Sequence, residues 1–158
     1  MDHLEKLIEI EPSAVHRADV RRLMVDASVV SLVGGMNPDA ERLFVFLSTR
    51  AGTAGPDVMF ELVTTRGGTR AAAYAEELLR REDVRAQGTP AFKVAYEMKT
   101  ATTCQARLAM FDRIKKEGDL RCNQFLFQMA KCGKGPTDCC VVNDPAYKEV
   151  VRVLNAKK

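Results

Sequence analysis

The sequence predicts an all-α chain of eight or nine short antiparallel helices, and three observations carry that reading. Apolar residues recur at helical spacing almost throughout. A helix-start signal, a capping residue followed by proline, stands at Asn37–Pro38, Thr89–Pro90 and Asp144–Pro145. Strand signals are few. Leu43 to Leu47 and Cys140-Val141-Val142 are the only short apolar runs that could lie extended, and the first follows a helix start. A chain of 158 residues fits one domain with a substantial core, so a single all-α domain over 1–158 is expected.

Leu4, Leu7 and Ile8 mark an opening helix that ends near Glu11–Pro12. Pro12 lacks an N–H and suits the first turn of a second helix, read from about Ser13 to Val33. Val15, Leu23, Val25, Val29, Val30, Leu32 and Val33 accumulate along it, and its nearly all-apolar second half reads as a buried central helix. Gly34–Gly35 ends it. Asn37–Pro38 opens Asp39 to Thr49, with Leu43, Phe44, Phe46 and Leu47 as core candidates. A Gly- and Thr-rich loop, Arg50 to Gly55, leads to Pro56–Thr65 with Val58, Met59, Phe60, Leu62 and Val63.

The next helix runs from about Thr69 to Arg81, and the small residues Ala71 to Ala75 place it centrally too. Asp83 to Gly88 reads as a turn, and Thr89–Pro90 opens Ala91 to about Lys99. Thr102 or Thr103 caps one helix carrying Cys104, Leu108, Met110, Phe111 and Ile114, which Gly118 stops with Lys115 and Lys116 in its last turn. Asp119 caps Leu120 to Met129, with Leu120, Phe125, Leu126 and Met129 facing inward. Asp144–Pro145 starts the final helix with Val150, Val151, Val153 and Leu154. One internal echo stands out. Ser48-Thr49-Arg50-Ala51-Gly52-Thr53 recurs 16 positions on as Thr64-Thr65-Arg66-Gly67-Gly68-Thr69, so two such helices make a unit of about 32 residues, near the period of helical-repeat arrays.

Composition narrows the function classes. Charged residues are 28% and the formal charge is only +3, too mild for a face built to hold nucleic acid or anionic lipid. Trp is absent and aromatics are 6%, which disfavours base stacking. No apolar run approaches the ~20 residues of a membrane helix, and Val29 to Val33 is interrupted by Ser31, so no membrane insertion by this segment is expected. The charged MDHLEKLIEIEP start lacks the layout of a signal peptide. Met1 either begins a cytoplasmic protein or was added to a domain of a longer chain, and the second is the preferred expectation.

All five cysteines, Cys104, Cys122, Cys132, Cys139 and Cys140, fall between Thr102 and Cys140. Cys122 sits among core candidates and reads as a small buried hydrophobe. Cys104, Cys132, Cys139 and Cys140 suit two disulfides, with adjacent Cys139 and Cys140 bonding separate partners. That reading requires an oxidising compartment, so the protein is extracytoplasmic if the bridges exist and otherwise cytoplasmic. Inert thiols are the second reading. Metal binding ranks last, because Cys132-x6-Cys139-Cys140 lacks a C-x2-C knuckle and His3 and His16 are remote in sequence.

No catalytic constellation or cofactor motif is recognisable. His3 and His16 lie in charged segments, while Glu61, Glu76 and Glu77 suit a solvated helix face. Gly133-Lys134-Gly135-Pro136-Thr137 is the nearest approach to a phosphate cradle and lacks the flanking strand and helix. Basic residues recur at Arg17-Arg21-Arg22, at Arg80, Arg81 and Arg85, and at Arg113, Lys115 and Lys116. The last six form a candidate basic binding surface. Asp19, Glu82, Asp83 and Glu117 interrupt these clusters, so a mixed-charge solvated surface is the simpler reading.

Gly118-Asp119-Leu120-Arg121-Cys122, followed by Phe125-Leu126, resembles the turn and second helix of short HEAT-like repeats. A longer stretch, about 83–158, resembles the C-terminal segment attached to some myxobacterial serine/threonine protein kinases and related proteins. Its marks are Asp83-Val84-Arg85-Ala86, Thr89-Pro90-Ala91, Thr103-Cys104-Gln105-Ala106-Arg107, Glu117-Gly118-Asp119 and the Cys132…Cys139–Cys140 cluster. Such segments carry a glycine-rich loop between later cysteines and one more cysteine on a preceding helix, although their last two cysteines are separated where these are adjacent. The resemblance implies an accessory domain and no known reaction. The Gly-rich loop, His-Arg-Asp and Asp-Phe-Gly of a kinase catalytic domain are absent.

The expected architecture is therefore a right-handed HEAT-like or α-solenoid-style array, and the expected function a non-catalytic protein-interaction or scaffold module. A disulfide-stapled extracytoplasmic sensory or accessory domain of a bacterial signalling protein is the second expectation, and a nucleic-acid-binding helical repeat the third. A protein partner is expected, while its identity and the oligomeric state do not follow from the sequence.

Overall fold

Asn37 shows how local chemistry sets the helix boundaries. Its side-chain oxygen accepts from the backbone N–H groups of Asp39 and Ala40 at 3.1 and 3.0 Å, and Pro38 occupies the first helical position where a missing N–H costs nothing. Thr69, Thr103 and Asp144 cap three other helices in the same manner. The computed structural model describes residues 2–135 and 138–157, and among these every regular element is helical. The all-α expectation is met.

Close approach divides the chain into two compact units, Met1–Thr89 and Pro90–Lys158. The first unit contains α1 (Asp2–Ile10), a 3-10 turn (Pro12–His16), α2 (Ala18–Ser31), α3 (Pro38–Thr49), α4 (Ala54–Thr65), α5 (Arg70–Leu79) and α6 (Glu82–Gln87). The second contains α7 (Pro90–Thr100), α8 (Cys104–Leu108), α9 (Phe111–Glu117), a 3-10 turn (Leu120–Cys122), α10 (Asn123–Ala130) and α11 (Pro145–Asn155).

Eleven α-helices among the described residues replace the expected eight or nine, and the difference has local causes. The single helix read over 13–33 breaks at Arg17, whose backbone is extended (φ −70°, ψ 138°). Its guanidinium grips Asp19 with two hydrogen bonds, at 3.2 and 2.7 Å, in the first turn of α2. The same device recurs at Arg81, whose guanidinium grips Asp83 at 3.3 and 2.7 Å, and the segment read as a turn over 83–88 is the short helix α6. The helix read as continuous up to Gly118 divides into α8 and α9. Met110 N–H bonds to Arg107 three residues back, a tighter turn than the α-helical ladder allows.

The centre of the first unit is α4, with Ala54, Gly55, Pro56, Asp57, Val58, Met59, Phe60 and Leu62 all buried. It packs against α2, α3, α5 and α6. The helix starts at Ala54, ahead of the expected Pro56, because Gly55 can lie against α3: a Cβ there would sit 1.8 Å from the Leu47 carbonyl oxygen. Asp57, buried on α4, accepts from the Thr89 hydroxyl at 2.9 Å and from the Thr89 N–H at 3.3 Å. Those bonds satisfy the carboxylate and tie down the chain after α6. By contrast the second half of the 13–33 stretch, expected to be buried, exposes Val30 and Val33, and Leu23 is exposed ahead of them.

In the second unit α11 lays Val150 and Leu154 against α9 and α10, while α7 contributes Phe92, Val94, Ala95 and Met98 to the core. Leu120, expected to face inward, is exposed, as is Leu108 on α8. No helix among the described residues is long and apolar enough to cross a membrane.

Candidate functional site

The most organised local chemistry lies where α10 ends. Lys131 leaves the helix in an extended conformation, and its carbonyl accepts from Cys140 N–H at 3.0 Å. The preceding Met129 carbonyl accepts from Cys139 N–H at 3.1 Å and from Val141 N–H at 3.4 Å. Backbone bonds thus hold segment 139–141 to the end of α10, and Val141 is buried. Asp138 turns back into the loop: its N–H bonds to the Gly135 carbonyl at 3.0 Å and its carboxylate accepts from Gly135 N–H at 3.2 Å. A Cβ at Gly133 would meet that carboxylate oxygen at 2.0 Å, so a side chain there displaces Asp138.

Within this frame four of the sequence-derived cysteines meet in two pairs at disulfide distance. Cys104 Sγ lies 2.18 Å from Cys139 Sγ, and Cys132 Sγ lies 1.92 Å from Cys140 Sγ. Neighbouring Cys139 and Cys140 reach separate partners, and between them the chain turns sharply: Cys140 adopts φ 54°, a left-handed conformation that L-residues other than Asn and Asp rarely take. The fifth cysteine, Cys122, is buried in the 3-10 turn before α10, and burial together with Asp119 pushes its thiol up to about 11. A thiol held protonated in this way is inert at neutral pH. Among the described residues no group of three His, Cys, Asp or Glu is placed to hold a metal ion.

In the sequence Arg107 stands out only within the Thr103-Cys104-Gln105-Ala106-Arg107 motif, yet it braces this site. It lies one turn after Cys104 on α8 and is 3% exposed. Its Nε donates to the Ala101 carbonyl at 3.2 Å and one terminal nitrogen to Gln128 Oε1 of α10 at 3.5 Å. Burial lowers its pKa. The i, i+3 spacing of Cys104 and Arg107 placed both on one helix face, and that was the available signal.

The candidate basic residues fall in both units. Arg81 is engaged with Asp83, which is held below the usual carboxylate range by the hydrogen bond from Arg81. Arg85 donates to the Leu79 carbonyl at 2.9 Å and also to the Arg80 carbonyl, capping the end of α5. Arg80 and Lys116 are exposed. Arg113 pairs with Glu117 at 3.1 Å and Glu97 at 2.5 Å, and Lys115 pairs with Asp112 at 2.7 Å. Each cation named with a carboxylate partner contributes less to a one-sign field than its formal charge suggests.

Two exposed apolar features were missed. In the first unit Leu23 and Val30 stand two turns apart on α2 with Val33 just beyond, at 56%, 71% and 75% exposure. A groove of about 310 Å³ opens nearby, lined by Leu32, Met36, Arg70, Ala73, Tyr74 and Glu77. In the second unit Phe127 on α10 is 68% exposed, with Lys131 Nζ 6.0 Å from its ring centroid. Neither feature was legible, because an apolar residue in a helix reads as core. No protein-family model matches this chain, and neither a curated protein nor a solved structure matches it.

Proposed function

We propose that this chain is a non-catalytic protein-interaction module of the helical-repeat, HEAT-like type. The observation that carries the reading is the recurrence of two capping devices at related spacings. The hydroxyls of Thr49 and Thr65 each donate to the carbonyl four residues back at 2.7 Å. Arg50 and Arg66 follow as C-caps at φ −123° and −120°, and Gly52 and Gly68 then take positive φ. The Arg-x-Asp-Val-Arg staple that opens α2 at Arg17 recurs at Arg81, 64 positions on, where it opens α6. Spacings of 16 and 64 are multiples of one helix-plus-turn length, as a repeat array requires.

The exposed stripe of Leu23, Val30 and Val33 is the surface we assign to the partner. The ion pairs of Arg81, Arg113 and Lys115 favour a protein over a nucleic acid as that partner. A photo-crosslinking residue at Val30, used in the cells the protein comes from, is expected to give a discrete protein adduct that the same residue at exposed Glu82 does not. Identical adducts from both positions, or none, would overturn the reading.

A second reading, an extracytoplasmic accessory domain of a bacterial signalling protein like the kinase-attached segments, is favoured by the two cysteine pairs at disulfide distance. Its test is thiol counting under denaturing conditions. One reactive thiol without reductant and five with it are expected, and five without reductant exclude it.

A further inference from the structure

We propose that Cys132 and Cys140 form the thiol-exchange site of this chain, taking a small monothiol as a mixed disulfide, while Cys104–Cys139 is a permanent tie. The inference concerns the chemistry of the loop and stands whether or not the interaction reading holds. Four differences between the pairs carry it. Cys132 and Cys140 are exposed, whereas Cys104 and Cys139 are half-buried, and exchange requires in-line access of a thiolate to a sulfur. Lys131 and Lys134 flank Cys132 in sequence, and cationic neighbours stabilise a departing thiolate. Cys140 holds φ 54°, a left-handed conformation that is strained for a cysteine, whereas neither Cys104 nor Cys139 has positive φ.

The fourth difference is in what remains after the bond breaks. Cys140 N–H stays bonded to the Lys131 carbonyl, and Cys139 and Val141 stay bonded to Met129, so the backbone keeps the two sulfurs near each other. Closure is then fast and the exchange reversible. Cys104–Cys139 instead joins α8 to a segment 35 residues away, beside the buried Arg107. Opening it removes the covalent link between α8 and that segment, a link that the Arg107 bonds to Ala101 and Gln128 do not replace.

The step balances with a monothiol such as glutathione as reductant. Its thiolate attacks one sulfur of the Cys132–Cys140 bond, an S–S bond forms to that sulfur, and the other cysteine leaves as thiolate and takes a proton. A second monothiol attacks the mixed disulfide and releases the oxidised dimer of the reductant. The protein gains two protons and two electrons and ends with two thiols.

The test titrates native full-length protein with glutathione at fixed redox ratios, quenches with an alkylating agent and reads each cysteine by peptide mass spectrometry. At partial reduction the label, together with the glutathione adduct, is expected on Cys132 and Cys140 in about tenfold excess over Cys104 and Cys139. Cys122 should stay unlabelled until the chain is denatured, which serves as the internal control for folding. Equal labelling of all four cysteines, earlier labelling of Cys104, or full labelling before any glutathione is added would each overturn the proposal. A Cys132→Ser, Cys140→Ser variant checks the other half: its Cys104 and Cys139 should remain unlabelled over the same range, and their reduction there would show that the tie is not permanent.

Discussion

The two units of this chain solve the same problem with different means. The first buries a nearly continuous apolar helix, α4, under four others, and holds no cysteine. The second is built of shorter helices, several of them between five and eight residues, and holds all five cysteines. A small unit buries a smaller fraction of its surface, and helices of one or two turns gain little from their own ladders. Cross-links are the usual compensation. The cysteines thus fall where the helices are shortest, and different changes should break each unit.

The largest effect is expected in the first unit from its core. Phe60 is fully buried at the centre of α4, and Phe60→Ala should cost about 3–5 kcal/mol in chemical denaturation followed by circular dichroism. The loss should be the same with and without reductant, because no bridge lies in that unit. In the second unit the corresponding change is the tie. Removing Cys104–Cys139, which closes a 35-residue separation, should cost roughly 3.8 kcal/mol, against roughly 2.5 for Cys132–Cys140 with its separation of 8, on a chain-entropy estimate. If Cys104→Ser, Cys139→Ser costs no more than Cys132→Ser, Cys140→Ser, the second unit does not depend on its long tie, and the contrast between the units weakens.

Cys122 offers a pH-dependent version of the same contrast. Its thiol rises from the usual 9.0 to about 11 in the folded state, so folding holds that proton more tightly than the unfolded chain does. The stabilisation is fully present below pH 9 and is lost as pH rises towards 11, by roughly 2–3 kcal/mol at most. Stability measured between pH 8 and 11 should fall more steeply for the parent than for Cys122→Ala. Parallel curves would place that thiol in contact with solvent.

How much of this was legible depended on whether a feature is local. Asn37–Pro38 and Asp144–Pro145 announced their helices because a cap acts on N–H groups two or three residues away. The break at Arg17 was hidden, since the Arg-x-Asp grip that makes it looks like an ordinary charged stretch. Periodicity marks Phe44 and Phe60 as core and both are buried, whereas Val30, marked by the same rule, is exposed, as is Phe127. Periodicity gives a face, but only the neighbouring helices decide whether that face is covered. The cysteine set was identified from spacing. Which sulfur meets which is not legible, nor is the left-handed turn at Cys140, because nothing in the side chain of a cysteine announces either.

The smallest expected effect compares one cap from each unit. Asn37→Ala and Asp144→Ala should each cost about 1 kcal/mol by removing an acceptor for two N–H groups. The two should differ in salt. Asp144 is a carboxylate at the positive end of α11, and part of its contribution is a charge–dipole term that a 1 M salt solution screens. Asn37 is neutral, and its Nδ2 also donates to the Ser31 carbonyl at 2.6 Å, so its replacement additionally leaves the last turn of α2 without that donor. Denaturation in low and high salt should therefore shrink the Asp144→Ala penalty and leave that of Asn37→Ala unchanged. An equal salt response would mean that the cap at α11 works through hydrogen-bond geometry alone, as the cap at α3 does.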